Sequence, residues 1–422
     1  MTQQTGHKSA FNELRDIGVI WVIDEAIKLG FHHGNADWVN LGQGEPETGE
    51  LSGAPPRIRQ FTVEEEDIGY GPVNGMDELR KAIAANYNRL YRQGKASQYT
   101  YENVSIAMGG RLALTRIFTI LGKIRLGYKV PEYTAYEDML NDQQQRITSL
   151  CVETKKENNY ALDASEFSAA IKSLNLEAFL LSNPCNPTGH VIQGAELEAT
   201  VRIATEQNCV LVMDEVYSHF IYENGKPATA PVSSAAYVKE VNTDQVLIVD
   251  ALTKSFRYPG WRLAWVLGPK DVVDTLGKAS SAIDGGPSLP IQRAALTLFR
   301  PKEADQETQA LRNTFSHKQN LILKKLRDCG IICSADTSGT FYIWGDVSKL
   351  PSPLNTDIGF FREALKHKVV VVPGHLFDIH PGSEKAERNF TQYVRFSFGP
   401  AETSLVLGLE RISTLIHSYR PA

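Results

Sequence analysis

Long apolar runs are missing from this sequence. No stretch approaches the length of a membrane span, and the opening residues, MTQQTGHKSA, are polar where a secretory signal would be apolar. An excess of basic charge is missing too. Against 44 Lys and Arg stand 49 Asp and Glu, a net charge of −5, which argues against nucleic acid or a membrane surface as partner. Cysteine is sparse: Cys151, Cys185, Cys209, Cys329 and Cys333 form neither a paired framework nor C-x-x-C. No His or Cys cluster completes a metal site around Cys329 and Cys333, so no metal is expected. The G-x-G of LGQGEPETG lacks the third glycine of a dinucleotide site, which disfavours a nicotinamide-dependent oxidoreductase. Walker, H-E-x-x-H and G-x-S-x-G motifs are absent as well. A reduced, cytoplasmic compartment is the simplest expectation.

What is present is ordinary in bulk. The 422 residues are 42% hydrophobic and 22% charged, as in a globular enzyme, and the length exceeds one simple core. Short apolar runs alternate with helical patterns: VSIAM (104–108), AFLLSN (178–183), CVLVMDE (209–215), VLIVDAL (246–252) and LAWVLG (263–268). That alternation predicts an α/β domain around a mostly parallel sheet covered on both faces. Past about residue 300 the texture changes to a long helical stretch (304–328), then TFYIWGD, FFREALKHK, VVVVP, YVRFSF and a final helix over 402–418. Residues 46–300 are therefore expected to form a large domain and 301–422 a smaller α+β domain, with residues 1–45 packing against the latter.

Parallel sheets bind ligands beyond the carboxyl ends of their strands, so the polar residues ending these runs are the ones to weigh. SNPCNPTG (182–189) holds two Asn-Pro pairs that force extended backbone, and Asn186 there can donate its amide to a ligand oxygen. In MDEVY, Asp214 ends a strand and reads either as a helix cap or as a carboxylate holding a proton on a heterocyclic nitrogen, with the Tyr217 hydroxyl nearby. Lys254, in ALTKSFRYPGWRLAW, reads alone as a surface lysine. At the end of a buried strand, however, desolvation would lower its pKa and make it a nucleophile. Arg262, just past Pro259-Gly260, offers the planar fork that fits a phosphate. Gly109 and Gly110, in AMGGRLALTRIF, stand where backbone N–H groups at a helix start can bind a phosphate.

In their order and spacing these segments resemble the fold-type I pyridoxal-phosphate (PLP) enzymes, specifically the class I/II aminotransferase family, from about Asn40 to the C-terminal helix. The N-P-x-N-P-T-G loop, the D-E-x-Y strand end, the S/T-K site with arginine eight residues on, and the late R-F-S segment all occur here in the family's order. The resemblance implies a PLP-dependent transferase fold, PLP as cofactor and these roles. Lys254 would form the Schiff base with the cofactor aldehyde and then move the Cα proton. Asp214 would keep the pyridine nitrogen protonated, Tyr217 and Asn186 would bond the ring oxygen, and Tyr133 would stack on the ring face. Gly109, Gly110 and Arg111 would cradle the phosphate together with Arg262. Tyr70 resembles the tyrosine that reaches the phosphate from a partner subunit, which implies a homodimer with composite active sites. Arg395, in YVRFSFGP, would clamp the substrate α-carboxylate.

Three positions depart from the family pattern. Ala251 stands three before the lysine where a phosphate-bonding hydroxyl is usual, Ala264 replaces a glycine, and Arg111 fills a loop position where a smaller or uncharged residue is common. The Arg111 guanidinium is expected to supply the phosphate hydrogen bond that alanine at 251 cannot make. The resemblance implies transfer of an amino group from an amino acid to a 2-oxo acid. A PLP-dependent elimination, dehydration or cyclisation of a basic, arginine-like amino acid is the second reading, motivated by Asp284 as a possible partner for a substrate cation. A PLP-binding sensor is the non-enzymatic reading, disfavoured because no DNA-binding segment is visible.

Overall fold

The computed structural model describes residues 18–223, 225–334, 337–383 and 387–420. Its central sheet has seven strands, in spatial order Val104–Ala107, Ala264–Leu267, Val246–Ala251, Val210–Asp214, Ala178–Ser182, Ile124–Val130 and Ile147–Glu153. Ala264–Leu267 runs antiparallel to both neighbours and the other pairings are parallel, so the sheet is mixed. Five strands coincide with the apolar runs. The three central ones are buried almost throughout, which is why they are continuously apolar rather than alternating.

Two strands were hidden in the sequence. Ile124–Val130 carries Arg125 and Lys129, which break its apolar pattern, and Lys129 is nonetheless buried. Ile147–Glu153 lies at the sheet edge, where partial exposure tolerates Thr148 and Ser149. The register sets the chemistry that follows. Ser182 pairs with Asp214, and Asp214 with Val249, so these strands end at one level. The residues just beyond their carboxyl ends gather on one side.

The smaller sheet is antiparallel, in the order Ile332–Cys333, Tyr342–Asp346, Tyr393–Ser397 and Val372–Pro373. The VVVVP run is not one strand but two. Val369–Val370 pairs in parallel with Val39–Asn40, while Val372–Pro373 turns to pair with Tyr393–Ser397. Helix Val19–Lys28 adds Val22 and Ala26 to the core of this domain. Residues 1–17 lie outside the described residues.

One element serves both cores. Helix Pro301–Asp328 starts on proline and ends with Lys325 and Arg327 in its last turn, as its dipole favours. Its buried positions Ala304, Leu311, Phe315, Ile322 and Leu326 recur at helical spacing on one face. Ala304 packs into the large-domain core, and the other four into the small-domain core. No described helix is long and apolar enough to cross a membrane.

Candidate active site

A cavity of about 680 Å³ opens at the carboxyl ends of the parallel strands, where strand topology places it. Lys254 enters it from the short helix Leu252–Ser255, which follows the strand Val246–Ala251 directly. Its Nζ donates to the Gly44 carbonyl, a contact from the N-terminal segment. The side chain is only half-buried by accessible surface because it faces the cavity, but protein crowds it otherwise. Burial pulls its amine down to about 7; Glu45 and Asp214 oppose this, and Arg395 and Arg262 add to it. An amine near neutrality is a usable nucleophile and proton carrier.

Asp214 ends its strand at the floor of the cavity, 5% exposed. Its Oδ2 accepts from the Tyr136 hydroxyl at 2.7 Å and its Oδ1 from the Val216 N–H at 3.4 Å. Burial raises its carboxyl to about 6, with Tyr136, Val216 and Lys254 opposing. Such a group ionises fully only beside a cation or a protonated heterocycle.

Arg395 reaches the cavity from the small domain. Its guanidinium donates to Asn186 Oδ1 at 3.0 Å and to the Gly42 carbonyl at 2.8 Å, and it covers the Tyr342 ring at 4.1 Å. It is 1% exposed, and its buried Nε has no hydrogen-bond partner, leaving a donor for a ligand. Tyr217 and Tyr342 share a hydrogen bond of 2.9 Å between their hydroxyls, and burial raises both well beyond reach of ionisation near neutrality.

At the opposite end of the cavity, helix Gly110–Ile120 presents its N-terminus. Gly109, its N-cap, has φ 96°, and a Cβ there would collide with the Arg262 guanidinium. The backbone there favours glycine, and a Cβ would push that cation aside. Arg262 also donates to the Pro259 carbonyl at 3.0 Å. The Arg111 guanidinium donates to the Tyr133 hydroxyl at 3.1 and 3.2 Å. Ala251 lines the cavity without a hydroxyl, but so does Thr253, which has one.

Three residues expected at the site lie outside this lining: Gly109, which caps the helix behind Gly110, Tyr70 and Asp284. Tyr70 is fully exposed on the surface of this chain. Asp284 is not free to meet a substrate cation: Arg116 holds it through contacts of 2.7 and 2.9 Å, and it also accepts from Ser280 and the Gly286 N–H. Sequence reasoning missed Tyr136 and Tyr342. Tyr136 stands in the first turn of the helix Ala135–Asn141 just after Tyr133, and only the fold shows that its hydroxyl turns to Asp214 rather than into the cavity. Tyr342 had no signal beyond its place in a strand.

These donors suit pyridoxal phosphate. A glycine-lined helix start beside a guanidinium matches a phosphate dianion. A near-neutral lysine suits an aldehyde, a buried carboxylate suits a protonated pyridine nitrogen, and the spare donor on Arg395 suits a carboxylate.

Similarity to known proteins agrees over nearly the full length. Residues 36–408 match the family described as aminotransferase class I and II. An aspartate aminotransferase of Pyrococcus abyssi is 26% identical over 400 residues, 92% of this chain and 94% of the relative. A valine–pyruvate aminotransferase of Mycobacterium tuberculosis is 28% identical over 393 residues, 91% and 92% of the two chains. The solved structure of the Thermus thermophilus aspartate aminotransferase with maleate superposes with a TM-score of 0.76 at 25% identity, covering 94% of this chain and 96% of that one. With its motifs in family order, its fold shared and its residues 36–408 matched, this chain belongs to the class I and II aminotransferases, which use pyridoxal phosphate.

Proposed function

We propose that this aminotransferase works on dicarboxylic substrates, moving the amino group of an acidic amino acid such as aspartate to a 2-oxo acid. The observation carrying this reading is the charge inside the cavity. Three guanidiniums, Arg111, Arg262 and Arg395, line it beside the carboxylates of Glu45 and Asp214, and among the described residues none of the three is ion-paired to a carboxylate. Arg262 takes a phosphate and Arg395 an α-carboxylate. The Arg111 guanidinium, expected from the sequence to serve the phosphate, instead lies on the Tyr133 hydroxyl. We assign it to a second carboxylate, with Thr253 as the hydroxyl near the phosphate. Relatives named aspartate aminotransferases support the same choice.

When bound, the cofactor supplies an aldehyde that bonds amines and a conjugated ring that accepts the electron pair released at Cα. The chain does the rest. Arg262 and the N–H groups of Gly110 and Arg111 would hold the phosphate. Asp214 would keep the ring nitrogen protonated, Asn186 and Tyr217 would hydrogen-bond the ring oxygen, and Tyr133 would cover the ring face. Arg395 would grip the α-carboxylate and so orient the Cα–H bond towards Lys254, whose free amine would take up that proton. A homodimer in the cytoplasm completes the proposal. Support comes from the segment around Tyr70, where Phe61, Val63 and Ile68 are exposed on the isolated chain, as a subunit interface would leave them.

The test compares aspartate with alanine as amino donors. Arg111→Met is expected to raise KM for aspartate and 2-oxoglutarate about tenfold or more while sparing alanine. Equal losses with both donors would put Arg111 on the cofactor rather than on substrate, and the dicarboxylate reading would fail.

A further inference from the structure

Beneath the cavity lies a buried polar cluster that these roles leave unused. Lys129 is 2% exposed and Glu132 is 0% exposed, with Nζ 3.7 Å from Glu132 Oε2. Burying two such ions costs stability, and an apolar pair of similar volume often serves as well or better. Their partners give the pair a purpose. Glu132 accepts from the Tyr133 N–H at 3.1 Å, from the Ser182 N–H at 3.4 Å and from the Ser182 hydroxyl. Lys129 donates to the Pro131 carbonyl at 3.2 Å and to Cys185 Sγ at 3.1 Å. Cys185, 2% exposed, immediately precedes Asn186, whose side chain receives Arg395. Burial acts to pull the Lys129 amine down, but Cys185 and Glu132 outweigh it and hold it above its ordinary value, so the ammonium keeps its proton and its donors.

The cluster therefore ties two walls of the cavity together. One wall carries Tyr133; the other is the turn from Ser182 to Asn186. We propose that Lys129 and Glu132 are positioning residues for amino-group transfer, setting Tyr133 against that turn and, through Cys185 and Asn186, fixing where Arg395 holds a carboxylate. This rests on the reading of Arg395 as the carboxylate anchor.

The experiment uses the full chain loaded with pyridoxal phosphate and reads binding as well as turnover. Calorimetry gives the Kd of maleate, an unreactive dicarboxylate, beside KM and kcat for aspartate. Lys129→Met is expected to raise the maleate Kd and the aspartate KM about tenfold while kcat changes by less than about threefold. The paired variant Lys129→Met/Glu132→Gln leaves no unpaired ion, so its melting temperature is expected to return towards the parent value. Its weak maleate binding is expected to persist, because Cys185 still lacks its donor. Cys185→Ala is expected to weaken binding too, and Cys185→Ser, which keeps an acceptor for Lys129, to recover most of that loss.

Arg395→Ala separates the two claims. Unchanged maleate binding there would remove the carboxylate anchor and the proposal with it. If Arg395→Ala abolishes binding while the stable paired variant binds maleate like the parent, the positioning role alone is overturned.

Discussion

The Tyr136 hydroxyl donates to Asp214 Oδ2 at 2.7 Å, and both side chains are buried. Burial raises the Asp214 carboxyl to about 6, and this bond is the largest influence opposing the rise. Tyr136→Phe removes it without disturbing the ring's packing. The acid limb of the kcat/KM profile is expected to move to higher pH, with kcat at neutrality lowered about tenfold. A pH–rate series on parent and variant measures both; an unmoved limb would mean that other groups fix the ionisation of Asp214.

Lys254 sets a second pH dependence. With its amine at about 7, the uncharged nucleophile becomes the major form as pH rises past neutrality. The rate at which cofactor-free protein takes up pyridoxal phosphate is expected to climb between pH 6 and 8, then level off; the window comes from that value. Stopped-flow absorbance follows the uptake. A rise delayed until pH 10 would mean an amine no different from one in water.

Gly109 carries a geometric prediction. Alanine there meets both a backbone at φ 96° and the Arg262 guanidinium. Gly109→Ala is expected to displace Arg262 and raise the Kd for pyridoxal phosphate about tenfold or more. Equilibrium dialysis of the cofactor reads this directly, with Gly122→Ala as a comparison because nothing lies within 4 Å of a Cβ at Gly122.

A buried acid behind the site makes stability depend on pH. Glu215 is fully buried and accepts from the Ser234 N–H at 2.7 Å and its hydroxyl at 2.6 Å, yet burial raises it from 4.5 to about 7. The folded state thus holds a proton that the unfolded chain releases. Its stabilisation is complete below pH 4.5 and is lost as pH rises through about 7. Thermal melts of Glu215→Gln are expected to show a shallower decline over that window than the parent. Parallel curves would assign the decline to other groups, Asp250 among them, since burial raises that carboxyl as well.

How much of this was legible follows from where each signal resides. The central strands could be read because burial on both faces demands uninterrupted apolar residues, and their polar ends named Asp214, Lys254 and the turn at Asn186. Ile124–Val130 could not, because Lys129 interrupts it and only the fold reveals Glu132 and Cys185 as its buried partners. The division of VVVVP between two sheets could not be read, because composition does not record which neighbour each valine meets. Asp284 looked like a candidate partner for substrate because no local pattern announces Arg116, which folding brings to it across the sequence.

Residue order by itself determined the chemistry on offer: a lysine after a buried strand, a carboxylate at a neighbouring strand end, a glycine pair at a helix start, and arginines for anions. Those signals are local, set by hydrophobic period and by backbone preference over a few residues. Tertiary structure alone decided which groups meet. Parallel register aligned the strand ends, and the small domain delivered Arg395 to Asn186. Burial then tuned the amine and the carboxyl, because desolvation depends on every neighbour in space rather than on the next residue in the chain.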